Sequence, residues 1–349
     1  MIVSILIFLL LISVLVIVHE GGHFLIARSN GIRVNEFTVG VGPALWKKQR
    51  GETLFALRAL PFGGACIFDG MYDDDSETMD DERSFKNAKV WSRIATVAAG
   101  PVFNFLLGFL LAVIVTAFSN WLYPVIAGVT EDSAAAEAGV REGDLIISMN
   151  GKKIHDASMA TLYSQLNKGE DITLVIDRDG SRETITFTPR YSEEDKRYYM
   201  GLYIGEPGKV EPKNVLRYAW YMEKGYFDMT FLSLRMLVRG ELNLDSLSGP
   251  VGIVKIVDET YEEVKPYGLP SVVLTMLDLA ILLTVNLGVI NLLPIPGLDG
   301  GRLLFALIEV IRGKPIPPEK EGYVHMAGMI ALVVLMVVVL FNDISKFIR

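Results

Sequence analysis

Two histidines four residues apart, with a glutamate beside the first, stand in the stretch Val18-His19-Glu20-Gly21-Gly22-His23. On a helix, positions i and i+4 share a face, so His19 and His23 can present two imidazoles to one metal ion. Glu20 stands where a general base could activate water on that metal. The residues before the motif, Ile2 to Val18, carry no charge. That context places the chemistry at the end of a membrane-spanning helix rather than in an aqueous cleft. A charged group near the bilayer centre costs about 3 kcal/mol, so ionisable side chains there mark function by default. The chain has four histidines, and half of them lie in this motif.

The elements that must position these groups follow from composition. The chain has 349 residues, 51% of them hydrophobic, and a mean hydropathy of +0.36. This suits a multi-span membrane protein with a soluble portion. A net charge of -8 argues against nucleic acid as a partner. The single cysteine, Cys66, excludes an internal disulfide and a cysteine-rich zinc site, and its apolar neighbours read as packing. The N-terminal run has no preceding Lys or Arg and no small-residue cleavage site after it, so it reads as a retained span rather than a signal peptide.

Four spans are predicted. The first runs from Ile2 through His23 to about Ala27, which sets His19 roughly 25 Å along a hydrocarbon core about 30 Å thick. Residues 34–43 and 52–61 read as short strands around a basic turn, Lys47 to Gly51, forming a membrane-associated β-hairpin region over 34–68. Its edge could accept an extended peptide, or it could be a plain surface hairpin. Residues 71–83 are an acidic, solvated loop. The second span runs from near Trp91 to about Trp121, with Ala98, Ala99, Gly100 and Gly108 small enough for close packing. Asn104 within it could bond a neighbouring helix, or hold a substrate or a catalytic group. The N-terminal half of the membrane core is therefore residues 1–121.

Residues 122–206 are soluble in character, and Ala138-Gly139 with Gly143-Asp144-Leu145-Ile146 and Asn150-Gly151 resembles a PDZ domain. Such domains bind extended peptides by strand addition. His155 lies in this domain and is not counted as a ligand. Residues 207–270 carry Arg217, Glu223, Lys224, Asp228 and Arg235 among aromatic residues, which predicts an amphipathic interfacial segment rather than a span. Ser248 to Ile253 reads as a loop and bend.

The C-terminal half of the membrane core is residues 271–349. Its third span, from about Ser271 to Leu293, ends in Asn291-Leu292-Leu293-Pro294-Ile295-Pro296-Gly297-Leu298-Asp299-Gly300-Gly301. Broken backbone at membrane depth is tolerated only where protein or a cavity satisfies it. Asp299 at that break is the best remaining zinc ligand, since two His, one carboxylate and an open position form a catalytic zinc pattern. A helix cap is its plainer role. Residues 302–323 read as a short polar loop, and the fourth span as about Tyr323 to Phe341. His325 at its start is the one rival to Asp299. Lys and Arg near the span ends predict an outside N-terminus, a metal site near the cytoplasmic side and an extracytoplasmic PDZ domain.

These stretches, with Gly100-Pro101-Val102-Phe103-Asn104-Phe105 and Gly249-Pro250-Val251-Gly252-Ile253, resemble the site-2 protease family of intramembrane zinc metalloproteases, in its bacterial RseP form with a single PDZ domain. The resemblance covers nearly the whole chain. It implies a bacterial inner-membrane enzyme in which His19, His23 and Asp299 bind Zn2+ and Glu20 activates water. It implies that Asn291 and Asn104 help place the substrate and that the hairpin pairs with an unwound substrate segment. The implied substrates are single-span membrane proteins, such as anti-sigma factors after a first cleavage, or signal-peptide remnants, with the PDZ domain as a size filter. A non-catalytic PDZ-bearing adaptor and a metal transporter are the rival readings. A transporter should line several spans with ionisable residues, and Asp278 is nearly alone.

Overall fold

A computed structural model describes residues 1–71, 82–193, 197–241 and 248–348. Two compact units emerge, Met1–Leu111 with Tyr226–Arg349, and Ala112–Gly225.

The first unit opens with α1 (Ile2–Ser29), apolar on every side as a span must be. It is followed by β1 (Val34–Arg50) and β2 (Thr53–Phe68). The basic stretch predicted as a turn is strand instead. Arg50 faces Thr53, and the chain reverses at Gly51, whose φ of +62° glycine accommodates without strain. The hairpin is also folded on itself. Glu36 to Val39 lie opposite Leu54 to Leu57 on one side and opposite Ile67 to Gly64 on the other. Leu45 and Trp46 near the turn are exposed, 69% and 50%, an apolar surface suited to lipid.

Next comes α2 (Val90–Phe118), which ends before Trp121 and contains Pro101. The second unit then begins within α2. It comprises β3 (Asn120–Val129), α3 (Ala134–Glu137), β4 (Leu145–Met149), β5 (Lys152–Lys153), α4 (Ala157–Gln165), β6 (Ile172–Arg178), β7 (Ser181–Phe187), β8 (Arg190–Ser192), β9 (Arg197–Tyr199) and β10 (Leu202–Lys209). The main sheet has the order β10-β3-β4-β6-β7, with β5 paired to β4. Alternate residues Ile172, Leu174 and Ile176 enter a core with Ile126, Ile146 and Met149, the period of two that a half-buried strand requires. An antiparallel sheet with short helices is the architecture that the PDZ-like stretch predicts. Asp144 of that stretch is structural. It is buried, receives two 2.7 Å hydrogen bonds from Arg178 and accepts one from the Arg141 N–H.

The chain re-enters the first unit along α5 (Val215–Val238), followed by α6 (Pro250–Val264), α7 (Leu269–Asn291), α8 (Asp299–Arg312) and α9 (Pro318–Ile348). Two expectations are corrected here. Residues 250–253 open α6 instead of forming a bend, because proline suits a first helical turn and Gly252 N–H is capped by Asp343 at 2.8 Å. Of the polar loop placed over 302–323, residues 302–312 belong to α8, an amphipathic helix whose apolar residues recur at helical spacing between the charges, and 318–323 open α9. Asp278 in α7 has a partner, since Tyr226 of α5 donates to it at 2.7 Å. Residues 72–81 of the acidic segment predicted over 71–83 lie outside the described residues, as do 242–247 of the interfacial segment.

Four described helices are long and apolar enough to cross a membrane: Ile2–Ser29, Val90–Phe118, Leu269–Asn291 and Glu319–Lys346. Phe8 of α1, Val257 of α6 and Met276 of α7 form a buried cluster that ties the spans to α6.

Candidate metal centre

The four-residue spacing of His19 and His23 on α1 meets a matching stripe on α2. Thr96, Gly100 and Asn104 recur every fourth residue and so share one face. His23 Nδ1–H donates to the Thr96 carbonyl at 2.8 Å, which fixes the tautomer and leaves Nε2 with a free lone pair. Asn104 Nδ2 lies 3.1 Å from His19 Nδ1, and its Oδ1 is buried without a partner among the described residues. Gly100 lies between them. A Cβ there would stand 2.3 Å from His23 Nε2 and 2.8 Å from His19 Cε1, so no side chain fits. Gly22 works in the same way from α1, since its Cβ would stand 2.6 Å from the Ala99 carbonyl oxygen.

Asp299 arrives from the other end of the chain. It is the first residue of α8, and Leu298 at the cap position makes no side-chain cap. Asp299 Oδ2 stands 3.2 Å from His19 Nε2 and 3.3 Å from His23 Nε2, and those two nitrogens are 3.3 Å apart. The turn before it is packed against the start of α8 by Gly300 and Gly301, where a Cβ would lie 2.2 Å from the Leu293 carbonyl oxygen and 2.6 Å from that of Ile295.

These groups open on a cavity of about 330 Å³. Glu20, Asn291, Arg302 and His325 line it together with residues 63–68 of β2. Asn291 is therefore on the cavity wall, whereas Asn104 sits behind His19. That segment of β2 pairs with Val34–Val39 on one side and has no strand on its other edge among the described residues. Glu20 reaches this edge. Its carboxylate hydrogen-bonds to the Cys66 backbone, and a Cβ on Gly64 would lie 2.9 Å from Glu20 Cγ. Burial and the charge of Glu20 push the Cys66 thiol up, so it stays protonated and unreactive.

The three converging atoms fit zinc. Bonds of about 2.0–2.1 Å at tetrahedral angles set ligand atoms about 3.3 Å apart, and 3.2–3.3 Å is the spacing here. Asp299 Oδ2 is buried with no donor aligned on it, a cost that a cation would remove. His19, His23 and Asp299 are also the one such metal-competent group among the described residues.

The model of peptidase family M50 matches residues 7–335. The chain belongs to that family. The regulator of sigma-W protease RasP of Bacillus subtilis is 31% identical, over 97% of this chain and 97% of its own. The zinc metalloprotease RasP of Geobacillus kaustophilus is 30% identical, over 99% and 98%. A Clostridium acetobutylicum protein with the provisional name of zinc metalloprotease is 33% identical, over 98% and 97%. Among solved structures, the PDZ domain of an SdrC-like protein of Listeria monocytogenes matches 24% of this chain and 86% of its own, at 18% identity and a TM-score of 0.22. As a family M50 member the chain is a zinc metalloprotease of the site-2 protease type and a multi-pass protein of the bacterial inner membrane.

Sequence reasoning passed over two groups that the structure packs against these histidines. Thr96 acts through its carbonyl, which no residue type advertises. Gly100 was visible as a small packing residue and as part of the Gly100 to Phe105 stretch, but not as a neighbour of the histidines. The usable signal was its place between Thr96 and Asn104 at intervals of four, the same interval as the histidines it meets.

Proposed function

We propose that this chain hydrolyses a peptide bond within the transmembrane segment of single-span membrane proteins, with His19, His23 and Asp299 as the zinc ligands and Glu20 as the base. The observation that carries this reading is the meeting of three ligand atoms, one carboxylate and one open strand edge in a single cavity.

Zinc bound by these residues supplies Lewis-acid polarisation of the scissile carbonyl and makes water easier to deprotonate. Glu20 takes the proton from the attacking water and returns it to the leaving amine. Thr96 holds His23 in the ligating tautomer. Asn104, with its amide oxygen turned to His19 Nδ1–H, does the same for His19. A helical substrate hides its carbonyls in its own hydrogen bonds and must unwind before attack. Residues 63–68 offer the unwound segment a strand to pair with, and Asn291 on the cavity wall holds it in place. The substrates are of the kind that a prior cleavage has shortened, anti-sigma-factor-like proteins or signal-peptide remnants. The PDZ unit excludes longer chains. The N-terminus and the PDZ unit lie outside the cytoplasm, and the zinc site lies near the cytoplasmic face.

The test is cleavage of a tagged single-span protein in detergent by wild type, Glu20→Gln and a chelated sample. Cleavage is expected from wild type alone, with zinc retained in Glu20→Gln. Normal cleavage by Glu20→Gln would show that the base is another group.

A further inference from the structure

Of the three converging groups, Asp299 alone is held by an irregular turn, residues 292–298 between α7 and α8. Its backbone donors can be accounted for one by one. Leu292 N–H bonds to Gly288 O, Leu293 N–H to Ile290 O, Ile295 N–H to Leu293 O and Leu298 N–H to Ile295 O. Pro294 and Pro296 have no N–H. The remaining donor, Gly297 N–H, leaves the turn and is accepted by His325 Nδ1 of α9 at 3.0 Å.

An N–H can only donate, so His325 Nδ1 carries no proton. The same imidazole lies against Phe305 of α8, with ring centroids 5.4 Å apart. His325 therefore holds the chain on both sides of Asp299, at Gly297 and at Phe305. Backbone contact reinforces the grip. Gly297 has φ +97°, and a Cβ on Gly328 of α9 would lie 2.0 Å from the Pro296 carbonyl oxygen. The far nitrogen, Nε2, is buried and stands 3.8 Å from Glu321 Oε1, beyond hydrogen-bond range.

We infer that His325 is a positioning residue for Asp299. Its Nδ1 lone pair fixes the turn that delivers the carboxylate to the two imidazoles. The inference rests on the reading of Asp299 as a zinc ligand.

The test is zinc release from the purified full chain into a chromophoric chelator, alongside thermal unfolding and cleavage rates. An asparagine oxygen falls near the place of Nδ1, and a glutamine amide falls near Nε2. His325→Asn should therefore release zinc within about threefold of wild type, while His325→Ala should release it about 10–100-fold faster with a matching fall in kcat. His325→Gln, which keeps bulk and polarity, should behave as the alanine variant does and guards against a simple folding defect. Wild-type release from both His325→Ala and His325→Gln would overturn the inference. So would a His325→Asn that keeps zinc and loses kcat, since His325 would then contact the substrate. An Asp299→Ala control separates the two claims. If it holds zinc as wild type does, the ligand reading fails. If it is empty while His325→Ala and His325→Gln release at the wild-type rate, only the present inference fails.

Discussion

Asp144 in the inserted unit and Asp299 in the membrane unit occupy similar places in the sequence, each an aspartate beside glycine at a chain reversal. Their surroundings are opposite. Asp144 is met by a guanidinium and a backbone N–H, so both its oxygens are satisfied. Asp299 faces two imidazoles, one of which already spends its Nδ1 proton on a carbonyl, and its buried Oδ2 has no aligned donor. A buried acceptor left unmet costs a folded chain stability, and a cation bound there would remove that cost. The first aspartate holds a fold together, and the second keeps an oxygen that a cation could bind. Similar sequence neighbourhoods therefore carry different roles, and the role is read from what remains unpaired.

The sharpest way to break this contrast is Gly100→Ala. A methyl group there meets both imidazoles, so zinc and cleavage should be lost together, by more than about 100-fold, while the melting of the inserted unit should not move. Metal analysis and circular dichroism on one preparation would check both. A smaller effect is expected of Asn104→Ala, about 10–100-fold in zinc affinity, because His19 keeps its place but loses the partner that orients it. Competition against a chelator of known affinity measures this.

The other side of the contrast is Asp144→Asn. Zinc affinity should be unchanged, while the inserted unit loses about 2–3 kcal/mol of stability, the lower end for a broken buried pair because Arg178 is partly exposed. The smallest effect is in pH. Burial opposes ionisation of Asp144, but the Arg178 hydrogen bonds, the Arg141 N–H and the charges of both arginines together outweigh it and hold the carboxyl below its usual range. A carboxyl depressed in the folded state stabilises it above the unfolded pKa of about 3.9, and that contribution is lost as pH falls toward the folded value. Wild type should therefore lose stability below about pH 4 more steeply than Asp144→Asn. Parallel slopes would remove the ion pair from the account.

Much of this was legible in the residues. The almost unbroken apolar run before His19, the i,i+4 histidines and the Pro-Gly-interrupted end of the third span pointed to His19, His23 and Asp299, because cost in hydrocarbon makes such groups conspicuous. The folding of the hairpin on itself was not legible. It depends on which strand limbs pair, and that pairing is a tertiary choice. The amphipathic α8 was misread as a loop because its charges, Arg302, Glu309 and Arg312, dominate a short window when helical period is ignored. His325 was noticed only as a competing ligand. Its bond from α9 to the Gly297 N–H of the turn before α8 is a tertiary fact with no sequence pattern of its own.

The most direct test of the central claim is metal content. Wild type, Glu20→Gln and Asp299→Ala would be purified in the same detergent and their zinc measured per chain. The account expects a single zinc in wild type and in Glu20→Gln, and a nearly empty Asp299→Ala. A full complement of zinc in Asp299→Ala would contradict it, and would place the third ligand elsewhere on the cavity wall.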